Sequence, residues 1–277
     1  MEVQPARVPQ FKYKTANMNG VTYNYIHAEP KGEAVIAQDM IGTLKRDSDD
    51  IAILASHLGV LYIVIGGYDW GGAVIYCAAL WHLELVAAFF VISMLYLPLR
   101  VTYINQALML PIAWLPSGVS AFNLSGDGLA LDLLDGVTKD MALLTTDKLD
   151  FYIDNYANNP FNNTLNWYRT SELNWRDELS LLPGDAASVE KFAQPALYIG
   201  GLQDSALPPV LSTGIEVYFD SLARGVANGS HWVMLEKPTE VNGFIGNWLA
   251  ASVLGNVTAG GLNLTTSIGA AGALAMR

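Results

Sequence analysis

The sequence predicts an α/β fold: a mostly parallel sheet flanked by helices, with a lid inserted between two parts of the core. Three observations carry that reading. Residues 61–90 run from a short β-branched apolar stretch through a glycine-flanked turn into a helix-like apolar segment, the unit from which parallel sheets are assembled. The strand-and-loop rhythm returns at Pro195 and lasts to about Ala250. Between Pro98 and Leu182 prolines, asparagines and short helical pieces replace it. At 277 residues and 52% hydrophobic content the chain suits one sizeable domain with an inserted subdomain. The expected division is 1–97 and 183–250 for the core, 98–182 for the lid and 251–277 for a tail.

In order, Phe11 to Ala16 and Val21 to Ala28 read as a hairpin across Asn17-Met18-Asn19-Gly20, whose Asn-Gly end is a strong turn signal. Val21, Tyr23 and Tyr25 share one face of the second strand. Pro30-Lys31-Gly32 turns the chain into a short strand, Ala34 to Ala37. Thr43 to Leu58 has helical periodicity, with Leu44, Ile51, Leu54, Ala55 and Leu58 on one face and Gly59 as the cap. The strand Leu61–Ile65, its turn and the helix from Ala73 to Trp81 follow, then a buried strand over Leu85–Met94. After the lid come a strand at Pro195–Gly200, a helical piece at Pro209–Phe219, a short strand at Arg224–Ala227 and a closing helix at Thr239–Ala250. Beyond Ser252 the composition shifts to Ala, Gly, Thr and Leu, a low-complexity tail.

Composition excludes several classes. A net charge of −11 argues against nucleic acid or an anionic membrane as partner. One cysteine, Cys77, rules out an internal disulfide and joins no metal-ligand pattern. The longest apolar run, Leu85 to Leu99, is interrupted by Ser93 and Pro98 and falls short of the roughly 20 residues of a spanning helix. MEVQPARVPQ has no apolar stretch, so no signal peptide is expected and the cytosol is the expected location. No G-x-G-x-x-G occurs, and Gly66-x-x-x-x-Gly71 is followed by Gly72-Ala73 where a phosphate-binding loop needs Lys and Ser/Thr. No cofactor or metal is expected.

The chemistry gathers at Gly66-Gly67-Tyr68-Asp69-Trp70-Gly71-Gly72. Strand, tight small-residue turn, helix is the setting of a nucleophile elbow, in which a strained backbone holds the central side chain over the sheet. Here that side chain is a carboxylate, which attacks an alkyl carbon and leaves a covalent ester for water to cleave. The alternative is a plain glycine turn with Asp69 as a helix N-cap. His27, His57 and His82 read as structural. His231 lies past the last strand, downstream of Asp204, which ends the preceding one. Residues at the carboxyl ends of parallel strands face a common crevice, so Asp69, Asp204 and His231 are expected to converge.

At these residues the chain resembles an α/β-hydrolase of the epoxide hydrolase group, its fungal-type members especially. The matching segments are GGYDWGGAVIYCAALWHLELV (66–86), FYIDNYANNPFNNTLNWYRT (151–170), PALYIGGLQDSALPP (195–209) and SHWVMLEKPTEVNGFIGNWL (230–249). The resemblance implies that Asp69 opens the epoxide, His231 activates water against the ester and Asp204 orients the imidazole. It implies too that Tyr168 of the lid donates a hydrogen bond to the epoxide oxygen, and that the Trp70 backbone N–H is an oxyanion donor. The implied partner is a small apolar epoxide.

Three departures bear on activity. Lys31-Gly32-Glu33 joins directly to Ala34-Val35-Ile36, where the group carries a central strand, a His-Gly-x-Pro oxyanion turn and a helix. The core is thus expected to be shorter by one strand and one helix. Either a gap is left beside the strand carrying Asp69, or its two former neighbours pair. The nearest counterpart of a second lid tyrosine is Phe122-Asn123-Leu124, and Tyr68 stands where histidine is more usual. Two other readings use the same residues. Dehalogenase chemistry would run on the same triad with Trp70 holding the halide, and a non-catalytic remnant would bind an apolar ligand or a partner.

Overall fold

The structure, a computed structural model, describes residues 12–28, 34–37, 43–96, 122–123, 128–129, 144–158, 166–181 and 191–254. Strands β1 (Lys12–Met18) and β2 (Val21–Ala28) form an antiparallel hairpin with a two-residue turn. Asn19 and Gly20 both take positive φ, 49° and 80°, the backbone that matches the twist of the flanking strands. Alternation puts Ala16, Met18, Tyr23 and Tyr25 on one buried face, against Leu54 of helix α1 (Leu44–Leu58). Asp50 of α1 accepts from Asn19 Nδ2 at 2.7 Å and from the Tyr23 hydroxyl at 2.5 Å. Gly59, with φ 73°, closes α1 as expected. β3 (Ala34–Ala37) pairs antiparallel with β2.

The second sheet is parallel throughout, in the order β4 (Ile63–Tyr68), β5 (Val86–Ile92), β8 (Ala196–Gly201), β9 (Leu222–Ala227). Helix α2 (Trp70–Trp81) connects β4 to β5. On its side Ile75, Tyr76 and Leu80 meet Phe89, Val91 and Tyr198, with Phe192 and Phe219 completing an aromatic cluster. Phe192 is fully buried, 4.7 Å from the Tyr96 ring and 4.8 Å from Phe219 between centroids, and such pairs add about 0.5–1.5 kcal/mol each beyond area burial. On the other face Ala88, Phe90, Ile92 and Ile199 meet α6 (Val233–Glu236) and α7 (Pro238–Trp248) through Val233, Val241 and Trp248. β5 and β8 are thus covered on both faces, which their continuous apolar runs require.

Among the described residues the two sheets do not join: β3 pairs with β2, and β4 with β5. Helix α1 connects the halves: Leu54 faces the hairpin, while Ile51 packs against Val74 and Cys77 of α2.

Of residues 98–182, the described elements include a two-stranded piece, β6 (Phe122–Asn123) with β7 (Gly128–Leu129), and helices α3 (Thr146–Asn158), α4 (Asn166–Arg169) and α5 (Ser171–Glu178). α5 is tied to the start of α1: Leu44 N–H donates to Asn174 Oδ1 at 2.9 Å, and Thr43 Oγ1 to Asp177 Oδ2 at 2.7 Å. The first of these satisfies a backbone N–H that a helix start leaves open. Glu178 is buried, and burial lifts its carboxyl to about 7 against the opposing hydrogen bond from Cys77.

Two elements differ from expectation. Pro209–Phe219 is two 3-10 turns, Pro209–Ser212 and Ile215–Tyr218, separated by extended Thr213 and by Gly214 at φ 88°. The closing helix ends at Trp248 and continues as a π-helical turn over Leu249–Leu254, so the tail's first residues are structured. The expected turn at Pro30–Gly32, residue Leu124 and the tail from 255 onward lie outside the described residues. Among the described residues no helix is long and apolar enough to cross a membrane.

Candidate active site

β4 delivers its last residue, Tyr68, to the carboxyl end of the sheet, and the chain then bends sharply into α2. At the bend Asp69 has φ 50° and ψ −128°, a region that costs a non-glycine residue about 1–3 kcal/mol. The bend is held from three sides. Asp69 N–H donates to Ile92 O at 3.0 Å, and the Asp69 carbonyl accepts from Gly72 N–H at 2.8 Å and Ala73 N–H at 3.3 Å. A Cβ on Gly67 would collide with the Gly71 carbonyl, so only glycine lets the two arms approach this closely. Asp69 occupies the N-cap position of α2 but makes no side-chain capping bond, which sets aside the N-cap alternative. Its carboxylate faces His231 instead.

His231 bridges two carboxylates. Its Nε2 lies 3.1 Å from Asp69 Oδ1 and its Nδ1 2.8 Å from Asp204 Oδ2. Asp204 is 2% exposed, and its other oxygen accepts from Ala206 N–H at 2.9 Å and Leu207 N–H at 2.8 Å. That carboxylate is therefore fixed before it meets the imidazole. Burial alone would lower the pKa of His231; the hydrogen bonds and charges of Asp204 and Asp69 outweigh it and raise the group from 6.5 to about 9. The two carboxylates thus favour the protonated ring.

Similarity to known proteins follows the same geometry. The structure superposes on epoxide hydrolase A of Mycobacterium thermoresistibile with a TM-score of 0.65, covering 87% of this chain and 98% of that one at 21% identity. It matches an epoxide hydrolase of Vigna radiata with a TM-score of 0.68, at 14% identity over 88% of this chain and 99% of that one. The chain has the α/β-hydrolase fold of the epoxide hydrolases. By sequence it is related to an epoxide hydrolase of Neurospora crassa, 38% identical over 109 residues, which are 39% of this chain and 31% of that protein. It is also 26% identical over 242 residues to the rat bifunctional epoxide hydrolase 2, across 74% of this chain and 42% of that protein. The chain thus spans about a third to two-fifths of the length of these curated relatives. No family model matches it.

Within this α/β-hydrolase frame the strand ends bring Asp69, Asp204 and His231 together. Trp70 begins α2, and its indole stacks on Trp167 of α4 at 5.8 Å between centroids and 17° between planes, so α4 reaches the residue beside Asp69. Tyr168 follows in α4; its side chain lies outside the described residues. Two contributors escaped the sequence reading. Ser93, buried and with φ 50°, ends β5 and donates from Oγ to the His231 carbonyl at 3.1 Å. Glu236 accepts from both Ser230 N–H and Ser230 Oγ, bracing the residue before His231. The Tyr68 ring lies 5.3 Å from the imidazole and 5.6 Å from Trp232; burial, with Asp69, Asp204 and Glu236 nearby, raises its hydroxyl well above the usual range. A polar break at the end of an apolar strand, as at Ser93, was the one signal available. His82 serves structure, its Nε2 3.1 Å from Asp49 Oδ1.

Proposed function

We propose that this chain hydrolyses small apolar epoxides to vicinal diols through a covalent ester on Asp69. The observation that carries the proposal is His231 held between Asp69 and Asp204 at 3.1 and 2.8 Å, with Asp69 thrust out by a strained bend. In the first step an Asp69 oxygen attacks an epoxide carbon, and Tyr168 of the lid hydrogen-bonds the departing oxygen. Forming the ester removes the charge of Asp69, one of the two carboxylates that hold the His231 pKa near 9. The imidazole then becomes easier to deprotonate at the stage where a base is needed. As the neutral base it takes a proton from water, which attacks the ester carbonyl; the ester C–O bond then breaks, the proton passes to the leaving oxygen of the diol and the Asp69 carboxylate is restored, while Asp204 keeps the ring in place. The Trp70 N–H serves the developing oxyanion.

We attribute the open side of β4 to the absent central strand. With that strand goes an oxyanion donor, at a cost of about 10²–10³ in rate. Ring opening needs Asp69 and a proton donor; ester hydrolysis needs His231 and the oxyanion hole. The protein should therefore alkylate faster than it turns over. Mass spectrometry after incubation with styrene oxide tests this: the expected result is an adduct on Asp69 and slow diol release, and unmodified Asp69 without diol would leave only the non-catalytic reading. Because a neutral His231 is required, diol release should rise with pH, its midpoint below about 9 once Asp69 is esterified. A second reading, dehalogenation on the same residues, draws on Trp70 beside Asp69 and the stacked Trp167; halide release from a haloalkane would favour it. The reading includes a cytosolic setting and the division into core (1–97, 183–250), lid (98–182) and tail (251–277).

A further inference from the structure

Among the described residues β4 closes one end of the parallel sheet, paired on one side by β5. Ile63 N–H donates to Leu85 O at 2.9 Å and Asp69 N–H to Ile92 O at 3.0 Å, so the odd-numbered residues face β5. By the alternation of a parallel ladder, Val64, Gly66 and Tyr68 turn their N–H and C=O groups outward, and no strand among the described residues pairs with them. Edges of this kind are ordinarily protected by charge, proline or a covering segment. β4 and the residues leading into it carry neither charge nor proline, while Leu61, Tyr62 and Val64 are exposed.

We propose that residues 261–268 of the same chain, Gly-Leu-Asn-Leu-Thr-Thr-Ser-Ile, add to this edge as a strand. Three observations select this segment. The first is where the described chain ends. A Cβ on Gly66 would overlap the Phe90 ring, Trp248 sits on Phe90 at 6.3 Å between centroids, and Val253 packs into the same cluster. The described chain thus ends on the sheet face that carries Phe90 and Tyr68. The second is reach: strands lie about 4.8 Å apart, so a position outside β4 is about 10 Å from β5, and the six residues 255–260 extend to about 20 Å. The third is pattern. Leu262, Leu264, Thr266 and Ile268 fall on one face and Asn263, Thr265 and Ser267 on the other, with no charge or proline, the alternation of a half-covered strand. The N-terminal segment fits poorly. It carries Glu2, Pro5, Arg7 and Pro9, and it leads into β1, the edge of the other sheet farthest from β3.

Hydrogen exchange on the full chain tests the proposal, comparing the unaltered protein with a Leu264→Pro, Thr266→Pro double variant. The Val64, Gly66 and Tyr68 amides should be protected in the unaltered chain and exchange roughly 100-fold faster in the variant. Ile65 and Gly67, which face β5, should be unchanged, and slow exchange at Ile199 would show that the fold is retained. Fast exchange of the three outward amides in the unaltered chain would overturn the proposal, as would protection that survives both prolines. Protection that grows with protein concentration, together with a dimer in light scattering, would assign the edge to a second copy and overturn it as well.

Discussion

β4 and β5 lie side by side and are written in the same apolar alphabet, yet they live in different surroundings. β5 is hydrogen-bonded on both sides, and six of its seven residues are buried. β4 is paired on one side, and Val64 stays 42% exposed. Apolar composition records that a strand could be enclosed; it does not say that neighbours are present to enclose it. The candidate site straddles the two, and β5 does more of the holding: Ile92 accepts from the Asp69 amide, and Ser93 anchors the His231 carbonyl.

Substitutions can sharpen or break this contrast. Asp69→Asn has the largest expected effect. Turnover should fall by at least about 10⁴-fold, while the fold is kept, because asparagine tolerates positive φ, and the stability lost is confined to the share of the His231 interaction that Asp69 supplies; a steady-state assay alongside a melting curve checks both. Phe192→Ala, on the enclosed side of the sheet, should cost about 3–5 kcal/mol in urea unfolding. Next comes pH. The His231 pKa is raised from 6.5 to about 9, so its stabilisation is full below about 6.5 and is lost as pH climbs through 9, on the order of 3 kcal/mol in all. Melting temperature followed from pH 6 to 10 should show that decline, and Asp69→Asn should shrink it. Ser93→Ala should cost about 1 kcal/mol and slow turnover by loosening His231. Smallest of all, Val64→Ala should stay within about 0.5 kcal/mol in the same urea unfolding, since pairing along the β4 edge engages the backbone and not this 42% exposed side chain; a loss like that at Phe192 would mean that the side chain itself is packed.

Much of this was legible because local chemistry dictates it. Asn19-Gly20 specifies its turn, Gly59 its helix end, and the glycines around Asp69 admit a single kind of bend. Asp204 and His231 could be placed because each follows a strand of the same direction. What stayed hidden depends on distant partners. Ser93 reads as a blemish in an apolar run until the His231 carbonyl, 138 residues on, is seen to need its hydroxyl. The breaks around Gly214 resemble a helix because their apolar residues recur at helical spacing. The neighbour of β4 could be posed only as a choice of two outcomes, since a strand's own residues do not name what lies beside it.

One earlier feature governs how the molecule should come apart. The β1–β2 hairpin rests on α1 through Leu54 and the buried Asp50–Tyr23 bond, and no ladder ties its sheet to β4 among the described residues. It is therefore a detachable flap. Mild warming should peel it away first, and limited proteolysis within β1 or β2 should leave a clipped protein whose Asp69, His231 and Asp204 still face one another.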